Sequence, residues 1–229
     1  MKRRTLLAAL PLACGLPLAA APADVAVRRG RVLQFPRDHG AHLGAAIEWW
    51  YLTGELRAEG DARYGFQITF FRSRTGLAEG LDSRFAARQL LFAHAALTDL
   101  GARRHLHAQR IARWSGDPAA PLARASLQDT DLRLGDWTLR RQDAGAFSRY
   151  TTAFGGSGAD TFELQLQMDA TQPPLLQGEA GFSRKGPEEA QASHYVTEPQ
   201  LAVQGTLRLN GRPQAVRGRA WLDHEWSDT

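Results

Sequence analysis

The sequence predicts an all-β protein built from antiparallel strands, and three of its segments carry that prediction. Residues 161–168 alternate strictly between apolar and polar side chains, which is the pattern of a half-buried strand. Residues 48–56 and 64–71 are rich in aromatic and β-branched side chains, which favour strands. The dominant pattern along the chain is therefore that of a sheet and not that of a helix.

The remaining segments extend this pattern. Residues 90–98 are rich in Leu and Ala, but the run is short and lies between strand-like segments, so we predict a buried strand. Residues 131–140 read as two short strands about a Gly-Asp turn, and Asn210–Gly211 predicts a hairpin between residues 203–209 and 214–221. Loops or irregular excursions are predicted at residues 76–87, 116–125 and 178–199. Seven or more hairpin-connected strands indicate a sandwich or a barrel, and composition does not choose between them.

The first 23 residues read as a secretory signal peptide. Lys2, Arg3 and Arg4 precede an apolar run at residues 6–21, and small residues follow at 19–23 as in a cleavage site. The Arg3–Arg4 pair also resembles a twin-arginine signal. We therefore predict a mature domain of residues 24–229 that is periplasmic or secreted.

The position of the single cysteine and the net charge exclude further classes of function. The only cysteine, Cys14, lies in the predicted leader, so the mature chain has no thiol for catalysis, disulfides or metal binding. Whether Cys14 is lipidated is left open. The net charge of +4 falls to about +1 once Lys2, Arg3 and Arg4 are removed, so no nucleic-acid partner is predicted.

Two segments combine imidazoles, carboxylates and indoles. The first is residues 38–51, which begin Asp-His-Gly-Ala-His and end Glu-Trp-Trp-Tyr; the second is residues 221–226. In a strand, Asp223 and Glu225 share one face while Leu222, His224 and Trp226 share the other. The second segment thus predicts an acidic face and a His/Trp face.

Each candidate role has a structural alternative. His224 beside Trp226 could bind an apolar ligand and move a proton, or it could simply donate to a backbone carbonyl in the core. Glu48 could be a proton donor whose pKa is raised by apolar surroundings, or it could pair with an arginine. Asp38, His39 and His42 suggest a metal site, but no further ligands lie at a diagnostic spacing, so no metal or cofactor is predicted.

A hydrolase reading lacks local support. Ser193 and His194 are adjacent, and adjacent residues of a strand point to opposite faces. The sequence also contains no G-x-S-x-G nucleophile elbow.

Several motifs, taken in order, resemble one family across nearly the whole mature chain. They lie at residues 35–42, 48–54, 65–72, 89–96, 181–186 and 220–227. On these motifs the chain resembles the carotenoid 1,2-hydratase (hydroxyneurosporene synthase) and AttH-like group of lipocalin-like proteins. It departs from the pattern at Leu43, where a proline is expected, and at His194, where an aromatic residue is commoner.

The resemblance implies a lipocalin-like antiparallel β-barrel, the first of two such domains, and this chain is expected to correspond to the first. It also implies addition of water to a C=C bond of an apolar isoprenoid or lipid, with a further carboxylate beyond Thr229. On this interpretation the catalytic candidates are Asp223, His224 and Glu48. The ligand-binding candidates are the aromatic residues and histidines of the two segments: Trp226, Trp221, Trp49, Trp50, Tyr51, His39 and His42.

Two other functions stay open. The chain could be a non-catalytic periplasmic carrier of a hydrophobic small molecule that serves an inner-membrane transporter. The third function is a secreted hydrolase, which the absent nucleophile motif weakens.

Overall fold

The computed structural model describes residues 27–158 and 161–228, so the predicted leader lies outside the described residues. The described chain is all-β, as predicted, with two short 3-10 turns at Arg37–His39 and Glu59–Asp61. Its strands are β1 (Ile47–Arg57), β2 (Arg63–Arg74), β3 (Gln89–Asp99), β4 (Arg104–Trp114), β5 (Ala123–Ala125), β6 (Asp131–Leu134), β7 (Trp137–Ala144), β8 (Phe147–Gly156), β9 (Phe162–Ala170), β10 (Leu175–Leu176), β11 (Phe182–Arg184), β12 (Ala192–Leu209) and β13 (Arg212–Ser227).

All strand pairs are antiparallel and belong to one curled sheet. The hydrogen-bonded order is β4-β3-β2-β1-β13-β12-β9-β8-β7-β6-β5, and the short β10 and β11 also pair with β12. The result is a nearly closed lipocalin-like β-barrel, which decides between the two predicted architectures. Arg110 spans the seam between the edge strands β4 and β5. Its guanidinium lies 4.7 Å from the Trp137 ring centroid on β7 and ion-pairs with Asp136.

Strand alternation fills the barrel with apolar side chains. Buried and more exposed residues alternate along most of β1 and β2 and along all of β9, and the apolar inward residues form one hydrophobic core. Large members of this core include Leu52, Leu56, Ile68, Leu97, Phe162 and Leu164. No helix in the described ranges is long and apolar enough to cross a membrane.

The predicted strands and hairpins are confirmed, but two loop predictions are wrong in part. Residues 178–199 contain β11 and the first part of β12, and residues 116–125 contain β5. The start of β12 was missed because its buried positions include Ser193, His194 and Glu198, so the segment lacks the apolar alternation of an ordinary strand.

Residues 27–46 form a plug over the end of the barrel where β1 begins and β13 ends. The plug is held by backbone bonds such as Ala41 N–H to the Ser126 carbonyl at 2.8 Å. Gly40 lies so close to the 127–129 backbone that an added Cβ would be 2.8 Å from the Leu127 carbonyl carbon. Only glycine fits that approach without displacing the plug. The plug carries the first of the two predicted polar segments into the barrel.

Candidate functional site

A cluster of charged and imidazole side chains lies buried beneath the plug. Glu48 is near the start of β1, Arg72 near the end of β2 and His224 near the end of β13, while Asp38 and His42 come from the plug. Cross-strand pairing sets Glu48 opposite both Arg72 and Trp226, and Trp50 opposite His224. We refer to Asp38, His42, Glu48, Arg72 and His224 as the buried cluster.

Glu48 is the centre of the buried cluster and accepts four hydrogen bonds. Its Oε1 accepts from His42 Nδ1 at 2.8 Å and from His224 Nε2 at 2.9 Å. Its Oε2 accepts from the His42 backbone N–H at 2.9 Å and from Arg72 Nε at 2.8 Å. Four donors saturate the lone pairs of a carboxylate.

Glu48 is ionised, whereas the proton-donor role considered for it would require a protonated carboxyl group. Burial alone would raise its pKa, but the charge on His42, the imidazole hydrogen bonds and Arg72 outweigh burial and hold the pKa well below its ordinary value. The prediction of a raised pKa is therefore wrong, and the predicted alternative, pairing with an arginine, is confirmed. Glu48 acts here as a fixed anion.

His42 lies between two carboxylates, and this makes it a cation. Its Nδ1 contacts Glu48 and its Nε2 contacts Asp38 Oδ1 at 3.0 Å. Because a carboxylate only accepts hydrogen bonds, both ring nitrogens must donate. Burial opposes this charge, yet Glu48 and Asp38 together raise the pKa of His42. The ring also stacks on Trp226 at 3.7 Å, which suits a cation over an indole.

Asp38 anchors the cluster from within the plug. It accepts hydrogen bonds from the Gln34 backbone N–H at 2.6 Å and from Arg31 Nη2 at 3.0 Å. Burial opposes its ionisation, but the hydrogen bonds from His42 and Gln34 and the nearby charges lower its pKa from 3.8 to about 2. Asp38 is thus ionised at neutral pH.

Arg72 connects the cluster to the plug backbone. Besides Glu48, its guanidinium donates to Gln89 Oε1 at 2.7 Å and to the carbonyls of His42 and Ala45 at 2.8 and 2.9 Å. The side chain is fully buried, and its charge, with that of His42, balances Glu48 and Asp38. The cluster is consequently neutral as a whole, which is the condition for keeping so many charges in a core.

His224 differs from His42 because only one of its ring nitrogens is engaged. Its Nε2 must donate to Glu48, while its buried Nδ1 has no hydrogen-bond partner among the described residues. Burial lowers the pKa of His224 against the opposing effect of Glu48, so the ring is neutral and Nδ1 carries a lone pair. The ring stacks on Trp50 at 4.6 Å and lies 4.9 Å from Trp226. His224 therefore presents an unprotonated Nδ1, a potential base, next to the indole rings of Trp50 and Trp226.

The other predicted site residues divide between the two faces of the sheet. The predicted alternation along residues 221–226 is confirmed: His224 and Trp226 point inward, while Trp221 and Asp223 lie on the outer face. Asp223 accepts a hydrogen bond from Thr197 Oγ1 at 2.6 Å and does not join the buried cluster. Trp221 is 44% exposed and borders an outer groove of about 460 Å³.

Along β1 the same rule separates neighbouring aromatic residues. Trp50 is buried, whereas Trp49 and Tyr51 are only half-buried on the outer face. His39 is buried in the plug, where its carbonyl accepts from Trp50 Nε1 at 3.2 Å and from Thr130 Oγ1 at 2.9 Å. Its ring rests against Phe35, and burial, with Arg141 and His224 nearby, lowers its pKa from 6.5 to about 3.

Sequence reasoning missed Arg72 as a site residue, and it considered Asp38 only as part of a possible metal site. A usable signal existed for Arg72, because alternation along β2 sets it on the same face as Phe66, Ile68 and Phe70. A charge that ends an apolar stripe indicates a buried partner. It also missed a second buried pair, Tyr150 and Glu198, joined at 3.1 Å. No sequence signal connects these two, since they are 48 residues apart.

The buried cluster does not suit a metal ion. One atom each from His42, Glu48 and His224 lie within 4.8 Å of one another. However, both ring nitrogens of His42 and both carboxylate oxygens of Glu48 already have hydrogen-bond partners. A metal ion would have to displace these partners and a proton of His42. The arrangement instead holds protons in fixed positions.

The fold and site together define a class: an antiparallel β-barrel closed at one end over a charge-balanced histidine–carboxylate cluster. Residues 26–229 match the family model described as AttH-like. This protein belongs to the AttH-like family.

Solved structures agree with that assignment. The chain is similar to an AttH candidate of Nitrosomonas europaea, with 42% identity, a TM-score of 0.77, and coverage of 90% of this chain and 58% of that one. It shares its fold with kievitone hydratase of Nectria haematococca at 15% identity and a TM-score of 0.58, covering 86% of this chain and 52% of that one. This chain thus spans little more than half the length of either relative. The comparison with curated proteins gave no match.

Proposed function

We propose that this chain takes part in hydratase-type chemistry, the addition of water to a C=C bond of an apolar isoprenoid or lipid, with His224 as the base that takes a proton from water. The single observation that carries the proposal is the state of His224. Its Nε2 is fixed on Glu48, and its Nδ1 lone pair is buried without a partner in the described chain. A neutral imidazole of this kind suits general base catalysis.

The surroundings of His224 favour an apolar substrate. Trp50 and Trp226 flank the imidazole, and indole faces stabilise positive charge that develops on a carbon centre. Adding water also requires an acid that protonates the second carbon. Glu48 is a fixed anion, so we assign that role to a group other than Glu48.

The packed interior gives less support to a carrier that holds its ligand inside the barrel. Core side chains such as Leu52, Ile68 and Leu164 fill the lumen below the cluster. The reacting end of a ligand would instead meet the protein at the plugged end, beside His224. One relative with this fold is named a hydratase, which is compatible with the same reading.

The test compares two variants, each of which keeps a polar group at the position of only one imidazole nitrogen. His224→Gln keeps an amide donor where Nε2 meets Glu48 but removes the base. His224→Asn keeps a polar group where Nδ1 lies but loses the bond to Glu48. The protein is incubated with isoprenoid lipids in isotopically labelled water, and products are analysed by mass spectrometry.

We expect the wild type to yield a product heavier by one labelled water, and His224→Gln to lose at least about 100-fold in turnover. His105→Gln, on the exposed face of β4, is the matched control and should behave as wild type. A ligand bound but unchanged by the wild type would reject the hydratase and identify a carrier. Full turnover by His224→Gln would reject the role of His224.

Export is part of the same proposal. The amino-terminal residues carry the pattern of a secretory signal, and a periplasmic location would bring the protein to lipids at the membrane. Fusing residues 1–30 to a reporter that is active only outside the cytoplasm tests this directly. A reporter that stays inactive with the wild-type leader contradicts it.

A further inference from the structure

We infer that Asp38 is a positioning residue that keeps His42 a permanent cation and thereby keeps His224 a neutral base with its Nδ1 lone pair free. The inference deepens the proposed function, because it explains how the plug would set the reactive state of His224. Asp38 itself does not contact His224. Its own charge favours a proton on His224, but the charge that it maintains on His42 has the larger and opposite effect.

The first step of the argument is the geometry of His42. Its Nε2 lies 3.0 Å from Asp38 Oδ1 and its Nδ1 lies 2.8 Å from Glu48 Oε1. Glu48 alone would require only one ring proton. The second proton is required by Asp38, because its carboxylate has no hydrogen to offer. Asp38 therefore decides whether His42 is charged.

The second step links that charge to His224. The two imidazole rings are 5.8 Å apart and both contact the same oxygen of Glu48. A fixed positive charge at that distance disfavours a second one on His224. The negative charge of Glu48 favours a proton on His224, but the positive charges of His42 and Arg72, which also contact Glu48, offset it. His224 is left neutral with one defined tautomer.

The titratable and charged groups that face this pair come from several elements. They are Asp38 and His39 on the plug, Glu48 on β1, Arg72 on β2, His194 on β12 and, beyond Asp38, Arg31 and Arg37. Among them, only Asp38 and Glu48 contact the His42 ring nitrogens. Because Glu48 also holds His224, Asp38 is the position at which the charge of His42 can be changed separately.

The third step is the position of Asp38 on the plug. The same carboxylate accepts the Gln34 backbone N–H, and the Asp38 N–H returns to the Gln34 carbonyl at 2.8 Å. Asp38 therefore both stabilises the backbone of the plug and keeps His42 protonated. A plug lifted from the barrel end would take both Asp38 and His42 away from Glu48.

The test reads the protonation of the two rings by nitrogen NMR of the full-length protein with labelled histidine. At pH 7 we expect both nitrogens of His42 to be protonated and His224 to be neutral with its proton on Nε2. In Asp38→Asn we expect His42 to be neutral and the titration midpoint of His224 to rise by about one to two pH units. Turnover at pH 7 should fall in kcat with little change in KM.

Asp38→Glu keeps the negative charge, so we expect His42 to remain a cation in this variant. If Asp38 had only a structural role, the protonation of His42 would not depend on the charge at position 38. Asp131→Asn removes a half-buried carboxylate of β6 that pairs with Arg140, and it should change neither ring. A neutral His42 in the wild type overturns the inference without any variant. An unmoved His224 midpoint in folded Asp38→Asn also overturns it. These spectra do not depend on turnover, so failure of the hydratase proposal would be seen separately, as a ligand that the wild type leaves unchanged.

Discussion

At the scale of single residues, polar side chains enter this barrel where apolar stripes end. Glu48 precedes Trp50 and Leu52 on the inner face of β1, and Arg72 follows Phe70 on the inner face of β2. Both lie at the plugged end, where the plug supplies partners that the strands alone do not have. The interior charges therefore depend on the plug for part of their hydrogen bonding.

The buried histidine of the plug, His39, makes the stability of the protein depend on pH. Its pKa is lowered to about 3 in the folded protein, from 6.5. As pH falls below 6.5 the unfolded chain takes up a proton that the folded chain refuses, so stability decreases between pH 6.5 and about 3. Substitution His39→Phe should remove this loss, which amounts to about 2 kcal/mol by pH 5.

Urea unfolding at pH 7 and pH 5 checks the prediction for His39→Phe. His105→Phe replaces an exposed ring on β4 and should lose as much stability on acidification as the wild type. An acid-induced loss in His39→Phe equal to that of the wild type would contradict the prediction.

At the scale of elements, the pairing of β1 with β13 brings both polar segments together. This ladder sets Glu48 opposite Trp226 and Trp50 opposite His224. It depends on close backbone approach at Gly218, where an added Cβ would lie 1.8 Å from the Glu55 carbonyl oxygen. The strand pair therefore has no room for a side chain at this position.

Gly218→Ala should destabilise the protein by about 1–3 kcal/mol, because the two strands must separate to admit the methyl group. Chemical denaturation measures the change in the free energy of unfolding. Gly80→Ala lies in the β2–β3 loop with nothing within 4 Å of the new Cβ, so it should have no effect. Equal stability of the two variants would show that β1 and β13 are not so tightly joined.

At the scale of the whole molecule, the barrel is closed by side chains where the ladder stops. Arg110 on β4 covers Trp137 on β7, pairs with Asp136 and contacts the Leu134 carbonyl at 3.5 Å. These contacts substitute for backbone pairing between β4 and β5. The seam is thus the part of the sheet where opening requires the fewest hydrogen bonds to break.

Arg110→Met should lower stability by about 1 kcal/mol, or roughly 2–4 °C in Tm, through loss of the cation–π contact. Hydrogen exchange along β4 should become faster while exchange in β1 is unchanged. Arg113→Met, on the outer face of the same strand, is the matched control. Unchanged exchange along β4 in Arg110→Met would show that the seam is held by other contacts.

The sequence by itself determined the class of the fold and most strands. Alternation is a local property, and it was readable along residues 161–168 and in the hairpin at Asn210–Gly211. It also set His224 and Trp226 on one face and Asp223 on the other, as the structure has them. The family followed from motifs that run along the whole chain, and the AttH-like match agrees with them.

Only the tertiary structure decided which polar residues meet and in which protonation state. His42 and His224 are 182 positions apart in sequence, yet they share one oxygen of Glu48 because β1 pairs with β13 and the plug folds over the barrel end. The sequence offered Glu48 as either an acid or an arginine partner. Burial and charge act through space, so the choice required the positions of Arg72, His42 and Asp38 around it.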